Sequence, residues 1–141
     1  MKQQDILSLA AAYLSEELTA ADTADLRRRM PQILAAAIVA LEPLDRDVSA
    51  EPCKNYPSYS ELCDMEADFP LHERLCAVCA LRVAAHLILD ENPTLSARLL
   101  NAYETARDEV VRSLPAHIAP ITDKYGRGRH GLWRKHKRPL P

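Results

Sequence analysis

Apolar residues recur at steps of three and four along most of the chain, the spacing of helices that bury one face. Leu7, Ala10, Ala11, Leu14 and Leu18 place a first helix from about Gln3 to Leu18. A polar break from Thr19 to Thr23 follows, in which Asp22 or Thr23 is suited to cap the next helix. Leu26, Met30, Ile33, Leu34, Ala37 and Leu41 form the stripe of a second helix over about Ala24 to Leu41. Pro31 is expected to kink it, because proline removes a backbone donor and crowds the preceding turn. Glu42-Pro43 is expected to end it.

Residues 44–69 break the pattern. Pro43, Pro52 and Pro57, with Asp, Ser and Asn between them, oppose a long regular element. Asn55 to Tyr59 reads as extended, with the potential for a short strand pair. A connection of this length in a compact domain is usually functional or engaged by a partner.

The helical pattern resumes at Pro70, which suits a first turn, and Glu73 complements the positive end of the helix dipole. This third helix is predicted to reach about Asp90. Between Leu75 and Leu89 only Arg82 and His86 are strongly polar, so the helix is apolar nearly all round and calls for burial on most sides. In a chain this short, a neighbouring subunit is expected to cover part of it. Asp90-Glu91-Asn92-Pro93 stops it, and Thr94 is expected to cap a fourth helix from about Leu95 to Leu114. That helix carries the stripe Leu95, Leu99, Ala102, Tyr103, Ala106, Val110 and Leu114, and Pro115 closes it. Residues 116–125 read as extended. The expected fold is all-α: a small four-helix bundle (1–123) with a long irregular loop between helices two and three and an extended basic C-terminal arm (124–141).

Composition sharpens this division. All three glycines (Gly126, Gly128 and Gly131) fall in the arm. Glycine gives a chain its tight positive-φ turns and its close approach to phosphates. A body without any argues against Asn-Gly hairpins, a dinucleotide-binding loop or a P-loop. The net charge of −2 hides two opposed parts. Lys124, Arg127, Arg129, Arg134, Lys135, Lys137 and Arg138 make the arm strongly cationic with no acid, and every acidic residue lies in the body. With 141 residues the chain is long enough for one real core without metal or disulfide support. No apolar run approaches a bilayer span, and Asp5 ahead of the first apolar stretch does not fit a signal peptide. A soluble, cytoplasmic protein is expected.

Candidate chemistry is sparse. Cys76-Ala-Val-Cys79 is a CxxC, and Cys53 and Cys63 would complete a four-cysteine set, but the upstream pair lacks the short knuckle spacing of structural zinc sites. The CxxC also sits in an apolar helical run without the cationic setting that activates a thiol. Core cysteines are favoured over zinc ligation, and zinc over a redox pair. Arg82 and His86 lie four apart on one helical face, suited to a subunit interface or to a polar patch within one bundle. No metalloprotease, hydrolase or nucleotide-binding motif occurs, so an enzyme is not expected and no cofactor is implied. In the arm, Tyr125, Arg127, Arg129, Trp133, Arg134, Lys135, Lys137 and Arg138 combine cations for phosphate or acidic protein surfaces with an aromatic anchor of the kind enriched at binding hot spots. A protein-docking arm, a nucleic-acid-contacting arm and a solubilising tail all fit these residues.

Three blocks form a recognisable series: Phe69-Pro-Leu-His-Glu-Arg-Leu75, the alanine-rich Ala80-Leu-Arg-Val-Ala-Ala-His-Leu-Ile-Leu89, and Asp90-Glu-Asn-Pro93 leading to Ala97–Arg107 with its Tyr103-Glu104 pair. This series resembles the head–tail connector (adaptor, or head-completion) proteins of tailed bacteriophages, over about residues 69–125 and more loosely over the first two helices. The resemblance implies a helical structural protein of the virion neck. It would assemble in the host cytoplasm as a ring, expected to be a dodecamer, beneath the portal protein. It would extend the channel through which DNA passes and seat the tail or stopper protein. It also implies that the C-terminal arm docks on the portal, while the cysteines and the length of the arm depart from the family pattern. The competing reading is a small helical nucleic-acid-binding regulator that grips DNA with its arm, and a third is a zinc-dependent module.

Overall fold

The computed structural model describes residues 1–14 and 22–115. The end of the expected first helix, residues 19–21 of the polar break after it, the segment 116–125 and the arm with Tyr125, Arg127, Arg129, Trp133, Arg134, Lys135, Lys137 and Arg138 lie outside these residues, while Asp22 and Thr23, expected to cap the second helix, lie inside its first turn. The described chain is mostly helical: α1 (Gln3–Tyr13), α2 (Asp22–Ser49), a single turn α3 (Tyr59–Leu62), a 3-10 turn (Glu73–Leu75) running into α4 (Cys76–Leu87), and α5 (Pro93–Ser113). Among the described residues there is no strand, only an isolated bridge between Lys2 and Asp68. The strand pair expected near Asn55 to Tyr59 does not form: residues 55–58 carry no regular structure and the α3 turn begins at Tyr59. Ser58 starts that turn: its backbone N–H and its hydroxyl both donate to the Glu61 carboxylate at 2.7 Å, satisfying donors that a helix start leaves open. No helix among the described residues is long and apolar enough to cross a membrane.

In α1 the buried stripe is Ile6, Ala10 and Leu14, with the predicted Leu7 beside it and only partly covered. The first amides of a helix have no partner inside it. Here they go to a distant segment: Gln3 N–H donates to Ala67 O (3.0 Å) and Gln4 N–H to Met65 O (3.1 Å). In return, Phe69 N–H donates to Met1 O at 2.9 Å. The chain start and residues 65–69 thus form one strap.

Helix α2 corrects the predicted stop at Glu42-Pro43. It passes through both Pro31 and Pro43 and ends at Ser49. Pro43 denies the carbonyl of Val39 its usual donor, but both residues lie on the exposed face, where an unpaired carbonyl is open to solvent and costs little. The opposite face continues the apolar register through Leu41 and Leu44, and its burial holds the extra turns. Ala50, just past the end, takes φ 56°, a left-handed position that normally falls to glycine.

Helix α4 runs through the middle of the bundle, against α1, α2 and α5. Cys76, Val78, Cys79, Ala80, Leu81, Val83, Ala84, Ala85 and Leu87 are all buried. The expectation that a neighbouring subunit must complete its coat is corrected, since helices of the same chain supply it. Its small residues let those three helices approach closely. At one such approach Ser96 Oγ, fully buried, donates to Ala85 O at 2.8 Å. Helix α4 also starts later and stops earlier than predicted. His72 Nδ1 accepts from Arg74 N–H (3.2 Å) to begin the 3-10 turn, and Ile88 closes α4. Asn92, rather than Thr94, caps α5, its Oδ1 accepting from Leu95 N–H at 3.0 Å with Pro93 in the first turn.

Candidate functional site

Arg82 and His86 are half-buried on one face of α4, as their spacing predicts. The structure gives Arg82 a partner on α5: its Nη1 donates to Tyr103 Oη at 3.0 Å, and the guanidinium lies 5.2 Å from the centre of the Tyr103 ring. A hydrogen bond and a cation–π contact therefore fix Arg82 within its own chain, while its Nε is buried without a hydrogen-bond partner among the described residues. Burial, and then the positive charge of Arg82, lower the His86 pKa below its ordinary value. The imidazole is held neutral against its cationic neighbour.

The cysteines fall into two groups. Cys76 and Cys79 are buried in α4, Cys63 is half-covered and Cys53 is exposed. Burial, with the neighbouring Cys76, pushes the Cys79 thiol up to about 12, which disfavours the thiolate needed for metal binding or nucleophilic attack. Among the described residues no group of three or more His, Cys, Asp or Glu side chains is placed to hold a metal ion.

A cluster that the sequence reading missed lies at the end of α2. Asp45 is fully buried and gathers three donors: Lys54 Nζ (2.8 Å) and Tyr56 Oη (2.8 Å) on one oxygen, and His72 N–H (2.6 Å) on the other. Lys54 Nζ also donates to Pro70 O at 2.8 Å, and Tyr56 Oη reaches Glu42 O at 3.1 Å. Arg46 and Lys54 flank the Tyr56 ring at 5.2 and 5.4 Å. Burial by itself raises the pKa of Asp45, but the bonds from Lys54, His72 and Tyr56 outweigh it and hold the carboxyl below its ordinary value. Burial and the facing Asp45 carboxylate raise the Tyr56 phenol. The cluster staples residues 54–72 to α2. One signal was present in the sequence: Asp45 lies four residues after Leu41 and seven after Ile38, in register with the buried stripe.

The surface features that remain gather at the last turns of α5. Its predicted stripe is well buried at Leu99 and Tyr103 but only partly covered at Ala106, Val110 and Leu114, because α5 has 21 residues against 12 in α4 and outlasts it. One flank carries a groove of about 740 Å³ lined by Arg46, Asp47, Ala50, Pro52, Val111, Leu114 and Pro115. The other carries a shallower one of about 320 Å³ bounded by Arg74, Ala77, Val78, Ala106, Val110 and their neighbours. Val111, on the wall of the larger groove, is 47% exposed.

No protein-family model matches the chain, and comparison with curated proteins and with solved structures finds no match.

Proposed function

We propose that this chain is a structural assembly subunit, a head–tail connector of a tailed bacteriophage that sits as a ring between the portal and the tail or stopper protein and extends the DNA channel. The observation that carries the reading is a convergence at the end of α5. Two apolar grooves and an exposed valine flank the point from which the chain continues toward the basic arm. A sealed core combined with open apolar surface and a cationic arm suits a subunit that binds other proteins. The blocks that carry the family resemblance also pack as one unit, joined by the Arg82–Tyr103 pair, the Asn92 cap and the Ser96–Ala85 bond. In this reading Arg82 and His86 stand at the edge of a subunit contact, Trp133 and the cations from Arg127 to Arg138 grip the portal, and the acidic body keeps passing DNA from sticking.

Co-expression with the portal of the same phage tests it. Stable co-purification and an added ring of density on the portal in electron micrographs are expected, and Trp133→Ala with Arg134→Glu and Lys135→Glu should abolish both. Failure to bind the portal, combined with salt-sensitive DNA binding by the isolated protein, would replace this reading with the regulator.

A further inference from the structure

The larger groove on α5 has a candidate occupant in the chain itself. Its walls are the aliphatic surfaces of Ala50 and Pro52, from the end of α2, and of Val111, Leu114 and Pro115, from the end of α5, with Arg46 and Asp47 beside them. Residues 116–141 follow Pro115 directly, so the chain leaves the described fold at the groove wall. The first residues to leave are Ala-His-Ile-Ala-Pro-Ile-Thr, an apolar stretch with isoleucines at 118 and 121 and no lysine or arginine. It differs sharply in character from the cationic run that begins at Lys124.

We propose that residues 116–122 of the same chain dock in this groove, with Ile118 and Ile121 as the anchoring side chains. Reach permits it: an extended residue advances roughly 3.3 Å, which limits Ile118 to about 10 Å and Ile121 to about 20 Å from Pro115. Tethering favours it, because a segment joined directly to the groove wall meets the groove at an effective concentration in the millimolar range, so weak contacts suffice. Pro120 narrows the conformations that the free segment can explore, which lowers the entropy lost on docking. Charge supports it as well. Asp47 at the groove offsets Arg46 beside it, and the exposed Glu51 between Ala50 and Pro52 adds an acidic neighbour for the cations that follow from Lys124. Docking would turn the arm into an element with a set direction. The inference bears on the connector reading at one point: with the larger groove filled by its own chain, the apolar surface left for a partner is the smaller groove at Ala77, Val78, Ala106 and Val110.

Hydrogen exchange on the full-length protein tests it, comparing wild type with I118D/I121D and with the milder I118S/I121S. Both pairs of substitutions lie beyond the described helices. Amides at residues 46–54 and 110–115 are expected to exchange about fivefold to tenfold faster in the variants, with α4 unchanged and the difference independent of protein concentration. Protection of the groove that disappears on dilution of the wild type would assign it to a second copy of the chain and overturn the proposal. Equal exchange in wild type and both variants would overturn it too. Portal binding is read separately, so the two proposals can fail independently.

Discussion

Two regions of this bundle are held shut by different physics. The α4–α5 pair closes on small and aliphatic side chains, with polar groups confined to a few bonds such as Ser96 to Ala85 and Arg82 to Tyr103. The end of α2 closes on the segment 54–72 through one buried carboxylate and its donors. Apolar packing spreads its stabilisation over many weak contacts, and each lost methylene costs its share of transfer and cavity energy. A buried ion cluster adds little net stability when complete, yet it is costly to break, because removing one partner strands a desolvated charge. The first region should therefore tolerate change in proportion to volume, and the second should respond to chemistry.

The largest expected effect is in the apolar region. Leu87→Ala, at a fully buried position, should cost about 3–4 kcal/mol in urea unfolding, whereas a volume-conserving Leu87→Met should cost under about 1.5 kcal/mol. Next comes the cluster. Lys54→Met keeps the volume but removes the cation, and should cost about 2–3 kcal/mol, below the full value for a sealed pair because the Lys54 side chain is 23% exposed. Adding Asp45→Asn should then restore most of the loss, since the side-chain amide can still pair with His72 N–H and Tyr56 Oη without the stranded charge. If the double variant were no more stable than the single one, the cluster would be acting through packing, and the contrast between the two regions would collapse.

Acid sharpens the same comparison. A carboxyl whose folded pKa is depressed stabilises the fold fully above its unfolded value, and that stability is lost as pH falls through the folded value. For Asp45 the loss begins below about pH 3.8 and extends to the lower folded pKa. His86, also depressed, gives a loss of the same sign that begins below about pH 6.5. Stability measured against pH should thus fall in two acid steps. His86→Gln should remove the upper step and leave the lower, and Lys54→Met should diminish the lower and leave the upper. The smallest expected change is a gain. Ala50→Gly relieves a left-handed backbone angle and should raise stability by up to about 1 kcal/mol.

Much of the helical architecture was legible in the spacing of apolar residues, and α5 shows why. Its stripe from Leu95 to Leu114 is unbroken, and its limits are marked by Asn92-Pro93 and Pro115. Helix α2 was misread at Pro43 because a local rule about proline was outweighed by burial of the opposite face, which no local signal reports. The circumference of α4 was read correctly as apolar, but the source of its cover was not. Pattern shows that a face must be buried and leaves open whether the same chain or another buries it. The cluster at Asp45 escaped because its partners come from positions 54, 56 and 72, which only the fold brings together. Of the candidate site residues, Arg82 and His86 were found on one face, but the engagement of Arg82 with Tyr103 required the α4–α5 geometry.

The strap between Met1–Gln4 and residues 65–69 has a kinetic consequence. Ring closure between such distant stretches carries an entropic penalty that the local α4–α5 hairpin does not face. The hairpin is therefore expected to form early and the strap to latch last. In the mature fold the strap should also be the first seam to open, making the chain start an early point of protease attack while the central helix stays protected.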